Sequence, residues 1–271
     1  MTVLALAQSL LFVPGSRPDR FDKAAASGAH AIVLDLEDAV ALPDKDAARD
    51  AVAAWLSAGG QAVVRVNGAA TPWYEADMAM LARFPRVAVM LAKADAASTA
   101  RSVRLLPGRP LLALVESIAG VRDLAQVAAT PGVLRLAFGS IDFGAETGIS
   151  DVGEAMSLVR SRFVLESCFA RIAAPIDGVT TSVDDTGLVL SDARRAQQFG
   201  FGGKLCIHPR QVEPVHQGFR PDPAEVEWAG RVLAASEASG GAATAVDGKM
   251  VDAPVVEQAR RILGRMPTAA H

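Results

Sequence analysis

Two carboxylates, Glu116 and Asp142, are the first candidates for chemistry in this chain, because each lies just beyond a short apolar run. If those runs are neighbouring parallel strands, the carboxylates lie a few ångströms apart and repel each other. A hard divalent cation relieves that repulsion, and two carboxylates completed by water and ligand oxygens suit Mg²⁺. The alternative is an ion pair of one carboxylate with Arg65 or Lys93, and the residues leave both interpretations open.

Other ionisable side chains follow similar runs. Arg65 offers a bidentate fork to a substrate carboxylate, or an ordinary salt bridge to Glu37 or Asp38. Arg17 can meet a phosphate, although a solvated charge in a first helical turn is the more common case. His208 precedes a proline and is interpreted as a hydrogen-bonded structural histidine.

The elements that must position these residues follow from the hydrophobic pattern. Short, nearly continuous apolar runs of this kind are typical of parallel strands covered on both faces. They are Leu10–Val13, Ala31–Leu36, Ala62–Val66, Val87–Leu91, Leu111–Val115, Leu134–Phe138, Ile176–Thr180 and Lys204–Ile207. Segments with helical signals separate them: Pro18–Ser27, Asp44–Ser57, Trp73–Phe84, Ala94–Leu105, Ala119–Ala128, Val152–Ala173 and Asp184–Phe199.

Eight such units favour an α/β fold of the (β/α)₈ (TIM) barrel type over a doubly wound sheet, which has fewer strands. We predict a barrel catalytic domain over residues 1–236 and a C-terminal helical extension over residues 237–271, packing on the barrel or on a neighbouring subunit. Its amphipathic helix is expected at Val255–Met266. Since the carboxyl ends of barrel strands meet at one mouth, the polar residues above predict an active site there.

Composition excludes several classes of function. The 271 residues carry 27 basic and 30 acidic side chains, and a net charge of −3 argues against nucleic acid or an anionic membrane as partner. The longest uncharged stretch, residues 1–16, is too short and too polar to span a membrane. Only two cysteines are present, as expected in a reducing compartment, and we expect a cytoplasmic protein.

Several short motifs, taken together and in order, resemble the HpcH/HpaI aldolase/citrate lyase family, in particular its citrate lyase beta subunit-like members. They are Leu11–Arg17, Leu34–Val40, Val64–Gly68, Leu114–Ser117, Gly139–Asp142, Cys206–Pro209 and Gly248–Pro254. One departure is Ala92, where many members have proline before the lysine that corresponds to Lys93.

The resemblance implies a role for individual residues. Glu116 and Asp142 correspond to the family's Mg²⁺ ligands, Arg65 to its contact with the substrate carboxylate and keto oxygen, and Asp252 to a carboxylate donated into a neighbouring subunit's site. Asp252 also fits the N-cap of the tail helix. We therefore predict Arg65, Glu116 and Asp252 as catalytic. The predicted substrate-binding residues are Arg17, Glu37, Asp38, Arg65, Glu116, Gly139 and Asp142.

The activity implied by the resemblance is Mg²⁺-dependent cleavage or formation of a carbon–carbon bond by a homotrimer. The substrate would be a 3-hydroxyacyl-CoA such as citryl-CoA, giving acetyl-CoA and a 2-oxo acid such as oxaloacetate. Alternatives are a malyl-CoA or citramalyl-CoA lyase or thioesterase, and a non-catalytic subunit that binds an acyl carrier. The residues do not discriminate among these substrates, because one methyl group changes specificity by only about 1–3 kcal/mol.

Overall fold

The computed structural model describes residues 3–265 and confirms the barrel. Eight parallel strands pair in chain order, and β1 pairs with β8 to close the cylinder. The strands are β1 Ser9–Pro14, β2 Ala31–Asp35, β3 Val63–Val66, β4 Ala88–Leu91, β5 Leu111–Val115, β6 Val133–Phe138, β7 Ala173–Asp177 and β8 Gly203–Cys206.

Helices connect the strands and cover the barrel, as expected for parallel strands buried on both faces. In the first 219 residues they are α1 Val3–Leu6, α2 Phe21–Ala25, α3 Lys45–Ser57, α4 Tyr74–Ala82, α5 Ala96–Leu105, α6 Ile118–Arg122, α7 Leu124–Ala129, α8 Ser140–Thr147, α9 Ser157–Phe169, α10 Thr186–Phe199 and α11 Val212–Phe219. Three 3₁₀ turns lie at Pro18–Arg20, Leu42–Asp44 and Pro209–Gln211.

The interior of the barrel, below the carboxyl ends of the strands, is filled with apolar side chains. Inward-facing side chains such as Leu10, Val33, Met90, Leu112 and Ala137 form one buried cluster. Because side chains alternate along a strand, the residue two positions beyond an inward-facing one also faces inward, closer to the carboxyl end. The same alternation therefore directs Asp35, two residues after Val33, toward the mouth.

The seventh strand differs from its prediction. It spans Ala173–Asp177 rather than Ile176–Thr180, so only its last two residues were anticipated. Gly178 follows the strand and lies so close to α8 that an added Cβ would be 2.3 Å from Ser140 Oγ. Helix α9 also begins at Ser157, later than expected, and α8 was not predicted.

The chain divides into two compact units, Met1–Gly218 and Phe219–His271. The predicted boundary lay at residue 236, within helix α12, which runs from Pro223 to Ala238. The second unit contains α12, the antiparallel strands β9 Thr244–Val246 and β10 Lys249–Val251, and helix α13 Ala253–Leu263. Helices α12 and α13 share an apolar cluster that includes Val232, Val256 and Ile262. No helix within residues 3–265 is both long and apolar enough to cross a membrane.

Candidate active site at the barrel mouth

Glu116 is the first residue beyond β5 and is buried, with only 4% of its surface exposed. Its Oε1 accepts a hydrogen bond of 2.8 Å from the backbone N–H of Lys93, beyond the end of β4. Gly139, beyond the end of β6, packs directly against it, and an added Cβ there would lie 2.3 Å from Glu116 Cβ. Only glycine fits at that position, so Gly139 provides the space in which the Glu116 carboxylate lies.

The electrostatic environment of Glu116 disfavours its negative charge. Burial, together with the neighbouring carboxylates Glu37 and Asp142, raises its pKa to about 8, although Arg65 and the Lys93 N–H act in the opposite direction. A cation bound beside Glu116, in addition to Arg65, would stabilise the ionised Glu116 carboxylate. Asp142 supplies the other half of the predicted pair, from the first turn of α8, and is half-buried.

The alternative prediction, that Glu116 or Asp142 forms an ion pair with Arg65 or Lys93, is wrong. Within residues 3–265, neither carboxylate lies within 4.0 Å of a side-chain nitrogen of lysine, arginine or histidine, whereas the side chains of Arg65 and Lys93 pair with other acids. Two carboxylates beside each other without a paired cation are a donor set that fits Mg²⁺. In the described part of the chain no cluster of three or more His, Cys, Asp or Glu side chains forms a metal cage, and Mg²⁺ does not require one.

Arg65 points into the mouth from β3 and is held by two acids. Its Nε and Nη2 donate to Asp35 Oδ1 and Oδ2 at 2.7 and 2.6 Å, and Nη1 lies 3.0 Å from Glu37 Oε2. The guanidinium also lies over the ring of Phe12, 4.7 Å from its centroid. Burial by itself lowers the pKa of Arg65, but Asp35 and Glu37 outweigh it, and the pKa is raised. Arg65 is therefore a fixed, charged group beside Glu116.

Glu37 and Asp38 follow β2, and Glu37 bridges the two cations of the mouth. Its Oε1 lies 2.6 Å from Lys93 Nζ, while its Oε2 faces Arg65 and accepts the Asp38 N–H at 3.0 Å. Asp38 is exposed and lies 3.8 Å from Lys93 Nζ. The predicted salt bridge of Arg65 is thus correct for Glu37 and wrong for Asp38.

Sequence reasoning missed two residues that support this cluster. Asp35, which holds Arg65, lies inside the predicted apolar run Ala31–Leu36, and the pattern of that run does not show that Asp35 faces inward. Lys45 is buried at the start of α3, and its Nζ donates to the Leu36 and Glu37 carbonyls at 2.7 Å and to Asn67 Oδ1 at 2.8 Å. It ties the loop beyond β2 to the loop beyond β3; nothing in its spacing indicated this.

Arg17 lines a cavity of about 520 Å³ beside the end of β1, together with Asp19, and within residues 3–265 it has no ion pair with Glu116 or Asp142. The cavity is also lined by Arg20, Lys23 and His208. Arg17 forms two hydrogen bonds with Asp19, at 2.8 and 2.9 Å, and both side chains are substantially exposed. His208 Nδ1 accepts the Arg210 N–H at 3.2 Å, as expected for a structural histidine.

Asp252 belongs to the C-terminal unit. It precedes α13, and its Oδ1 accepts the Val255 N–H at 3.3 Å, which confirms the predicted N-cap. Its side chain is exposed. The remaining predicted site residues lie together at the mouth. Gly139 packs against Glu116, which interacts electrostatically with Glu37, Arg65 and Asp142, and Lys93 contacts Glu37, Asp38 and Glu116.

The fold and the site define a class of protein, the (β/α)₈-barrel enzymes. In these enzymes the active site lies at the carboxyl ends of the strands, where this chain has its acidic groups and the fixed arginine. The chain belongs to the HpcH/HpaI aldolase/citrate lyase family, whose model matches residues 8–209.

Its relatives include citrate lyase beta-like proteins and a thioesterase. The chain is 37% identical over 273 residues to a citrate lyase subunit beta-like protein of Mycobacterium tuberculosis, covering 98% of this chain and 97% of that one. It is 32% identical over 272 residues to a (3S)-malyl-CoA thioesterase of Cereibacter sphaeroides, covering 97% and 95%. The crystal structure of CitE from M. tuberculosis in complex with magnesium, acetoacetate and coenzyme A superimposes with a TM-score of 0.83 at 35% identity, covering 96% and 98% of the two chains.

Proposed function

We propose that this protein is a Mg²⁺-dependent lyase that cleaves, or forms, the carbon–carbon bond of a 3-hydroxyacyl-CoA such as citryl-CoA. The observation that carries the proposal is the buried Glu116 carboxylate, which lies near Asp142 without a paired cation and next to the fixed Arg65 guanidinium. The related CitE, crystallised with magnesium, acetoacetate and coenzyme A, supports a site that combines a metal, an oxo acid and coenzyme A.

In this proposal Glu116 and Asp142 hold the metal. When bound, Mg²⁺ supplies Lewis-acid stabilisation of the negative charge that develops on the substrate oxygen. The raised pKa of Glu116 fits a carboxyl group that loses its proton when a cation binds, since a metal ligand must be deprotonated. Asp35 and Glu37 are unsuited to that role because both are engaged by Arg65.

Arg65 orients the oxo-acid half of the substrate. Its guanidinium is fixed by Asp35 on one edge, so the fork does not have to be ordered when a substrate carboxylate arrives. In the cleavage direction the hydroxyl gives its proton to solvent water and becomes a keto group, while the electrons of the broken carbon–carbon bond pass to the thioester as an enolate. Asp252, supplied by a neighbouring subunit, donates the proton that the enolate carbon requires.

The cavity beside β1 accommodates the coenzyme A end. Arg17, Arg20 and Lys23 give it a positive lining of the kind that phosphates bind. Arg17 would exchange its pair with Asp19 for a phosphate, a change of low cost because both side chains of that pair are exposed to solvent, which weakens their attraction.

The test combines binding with product analysis. We expect titration calorimetry to show pyruvate binding that requires Mg²⁺, and turnover of citryl-CoA, malyl-CoA or citramalyl-CoA to a 2-oxo acid. Glu116→Gln and Asp142→Asn should abolish both, whereas Asp46→Asn, on the exposed face of α3, should not. Full activity in the Glu116 or Asp142 variants would refute the proposed metal site.

A second candidate is a thioesterase with the same site, favoured by the relative that hydrolyses (3S)-malyl-CoA by name. Release of the free hydroxy acid in place of a 2-oxo acid would identify it. A protein with neither Mg²⁺-dependent binding nor turnover would favour the remaining alternative, a non-catalytic subunit that binds an acyl carrier. We also propose a cytoplasmic homotrimer, for which light scattering should give about three times the 28.2 kDa chain mass.

A further inference from the structure

Lys93 has an unusual backbone conformation at the candidate site. Its φ is +51°, in the left-handed region that residues with a Cβ rarely adopt. The other non-glycine residues with positive φ in the described chain, Arg171 and Asp247, lie in exposed turns. A strained residue at a functional site persists when the surrounding structure holds it there.

The surrounding structure does hold it. On one side of Lys93, Leu91 is in register with Ala113 of β5, and on the other side the Ala94 N–H donates to the Leu114 carbonyl at 2.9 Å. Ala92 and Ala94 are fully buried. The main chain is therefore attached to β5 both before and after Lys93. The left-handed conformation of Lys93 between these two points directs its N–H to Glu116 Oε1.

The side chain of Lys93 acts on a different acid. Its ammonium lies 2.6 Å from Glu37 Oε1 and 3.8 Å from Asp38 Oδ2 and is about half exposed at the mouth. Thus the main chain of Lys93 contacts one carboxylate of the site, while its side-chain charge neutralises two others.

The charge balance of the mouth makes this ammonium important. Asp35, Glu37, Asp38, Glu116 and Asp142 are acidic, and the cations that act on them are Arg65, Lys93 and the buried Lys45, so the acids still outnumber the cations. An excess of negative charge attracts a divalent cation but repels an anionic oxo acid.

Resting on the proposed function, we infer that Lys93 is a positioning residue with a divided role. Its main-chain N–H orients the metal-binding carboxylate Glu116, and its ammonium neutralises Glu37 and Asp38 so that an anionic oxo acid can enter beside the metal. Loss of the ammonium therefore has opposite consequences for the two ligands: the anion binds more weakly, while Mg²⁺ binds as well as before or more tightly.

The experiment measures both affinities by calorimetry: Mg²⁺ alone, and pyruvate at saturating Mg²⁺. Lys93→Met keeps the N–H and removes the charge. We expect its dissociation constant for pyruvate to rise about tenfold, equivalent to about 1.4 kcal/mol, with no weakening of Mg²⁺ binding. Lys93→Arg, which keeps a positive charge, should bind pyruvate about as tightly as the wild type. Lys93→Gly should resemble the methionine variant in binding and should melt at an equal or higher temperature, because glycine adopts positive φ without strain.

The matched control is Arg86→Met, which removes a positive charge just before the opposite end of the same strand, β4, and should change neither affinity. If pyruvate and Mg²⁺ binding weaken in parallel in Lys93→Met, or if neither changes while the wild-type protein binds both, the inference is wrong and the proposed function stands. If the wild-type protein shows no Mg²⁺-dependent pyruvate binding, the proposed function itself fails, and this inference fails with it.

Discussion

Asp35 and Arg65 stand opposite each other in the register of β2 and β3, and the Asp35 carboxylate holds both Nε and Nη2 of the guanidinium. Asp35 also accepts the backbone N–H groups of Glu37 and Ala39, at 2.8 and 3.2 Å. One buried carboxylate thus fixes both the arginine proposed to bind substrate and the loop that carries Glu37.

We predict that Asp35→Asn lowers kcat/KM for the thioester substrate about 100-fold, because a misplaced orienting group costs about that much in rate. Asparagine preserves the shape but not the charge that aligns the guanidinium. Steady-state kinetics would measure the effect, and Asp46→Asn, which alters an exposed partner of Arg49, is the control. Unchanged kinetics in Asp35→Asn would show that Arg65 needs no alignment from this acid.

The barrel could be predicted from the sequence because each strand is a short apolar run, and burial on both faces leaves that signature. The site could be predicted in outline because Glu116 and Asp142 follow such runs. Asp35 was missed because the periodicity of a fully buried strand does not reveal which residues face inward. Only the register across β2 and β3, a property of the folded barrel, pairs it with Arg65.

The C-terminal hairpin was missed although the sequence contains its signal. Asp247 and Gly248 connect β9 to β10 with φ values of +52° and +74°, the two positive angles of a type I′ turn, for which Asp-Gly is a preferred pair. The strands themselves are only three residues each, too short for alternation to be recognised. The turn residues, rather than the hydrophobic pattern, carried the information.

The stability of the protein should fall as the solution becomes acidic through the titration of His30. His30 is partly exposed to solvent, and the partial burial of its ring lowers its pKa from 6.5. The ring lies against His216, with Ser9 Oγ within hydrogen-bond distance of both. Because the unfolded chain binds the proton more readily, the stabilising contribution is present above pH 6.5 and is lost as the pH falls below it.

Urea unfolding at pH 7.5 and 5.5 would measure this loss, and His30→Asn should lose less free energy of unfolding between the two values than the wild type. An equal loss in both proteins would assign the acid sensitivity to other groups.

The two cysteines should differ sharply in reactivity. Cys206 is buried in β8, and burial raises the pKa of its thiol to about 12, so that about one molecule in ten thousand carries the thiolate at pH 8. Cys168 is exposed on α9. Iodoacetamide at pH 8 should therefore add once to the native protein, at Cys168, and twice after denaturation, as read by mass spectrometry. Cys168→Ser should give no native adduct; rapid labelling at Cys206 would instead mean that β8 opens readily.

The N-cap role of Asp252 and its proposed role as a proton donor can be tested separately, because one replacement keeps the helix cap and another does not. Asparagine caps a helix about as well as aspartate, whereas alanine costs about 1 kcal/mol. We predict that Asp252→Asn melts like the wild type and binds Mg²⁺ and pyruvate, but loses about 10²–10⁴ in turnover because the proton donor is missing. Asp252→Ala should lose the same activity and in addition some stability.

Subunit complementation tests where Asp252 acts. If the acid serves a neighbouring subunit, mixed oligomers of Asp252→Asn and Glu116→Gln chains contain some sites in which an intact Glu116 meets an intact Asp252 from another chain. Unfolding and refolding the two inactive variants together should then restore part of the turnover, while each refolded alone stays inactive. A mixture that stays inactive, although mass measurement shows hybrid oligomers, would place Asp252 in its own subunit's site. Full activity in Asp252→Asn alone would leave it only as the cap of α13.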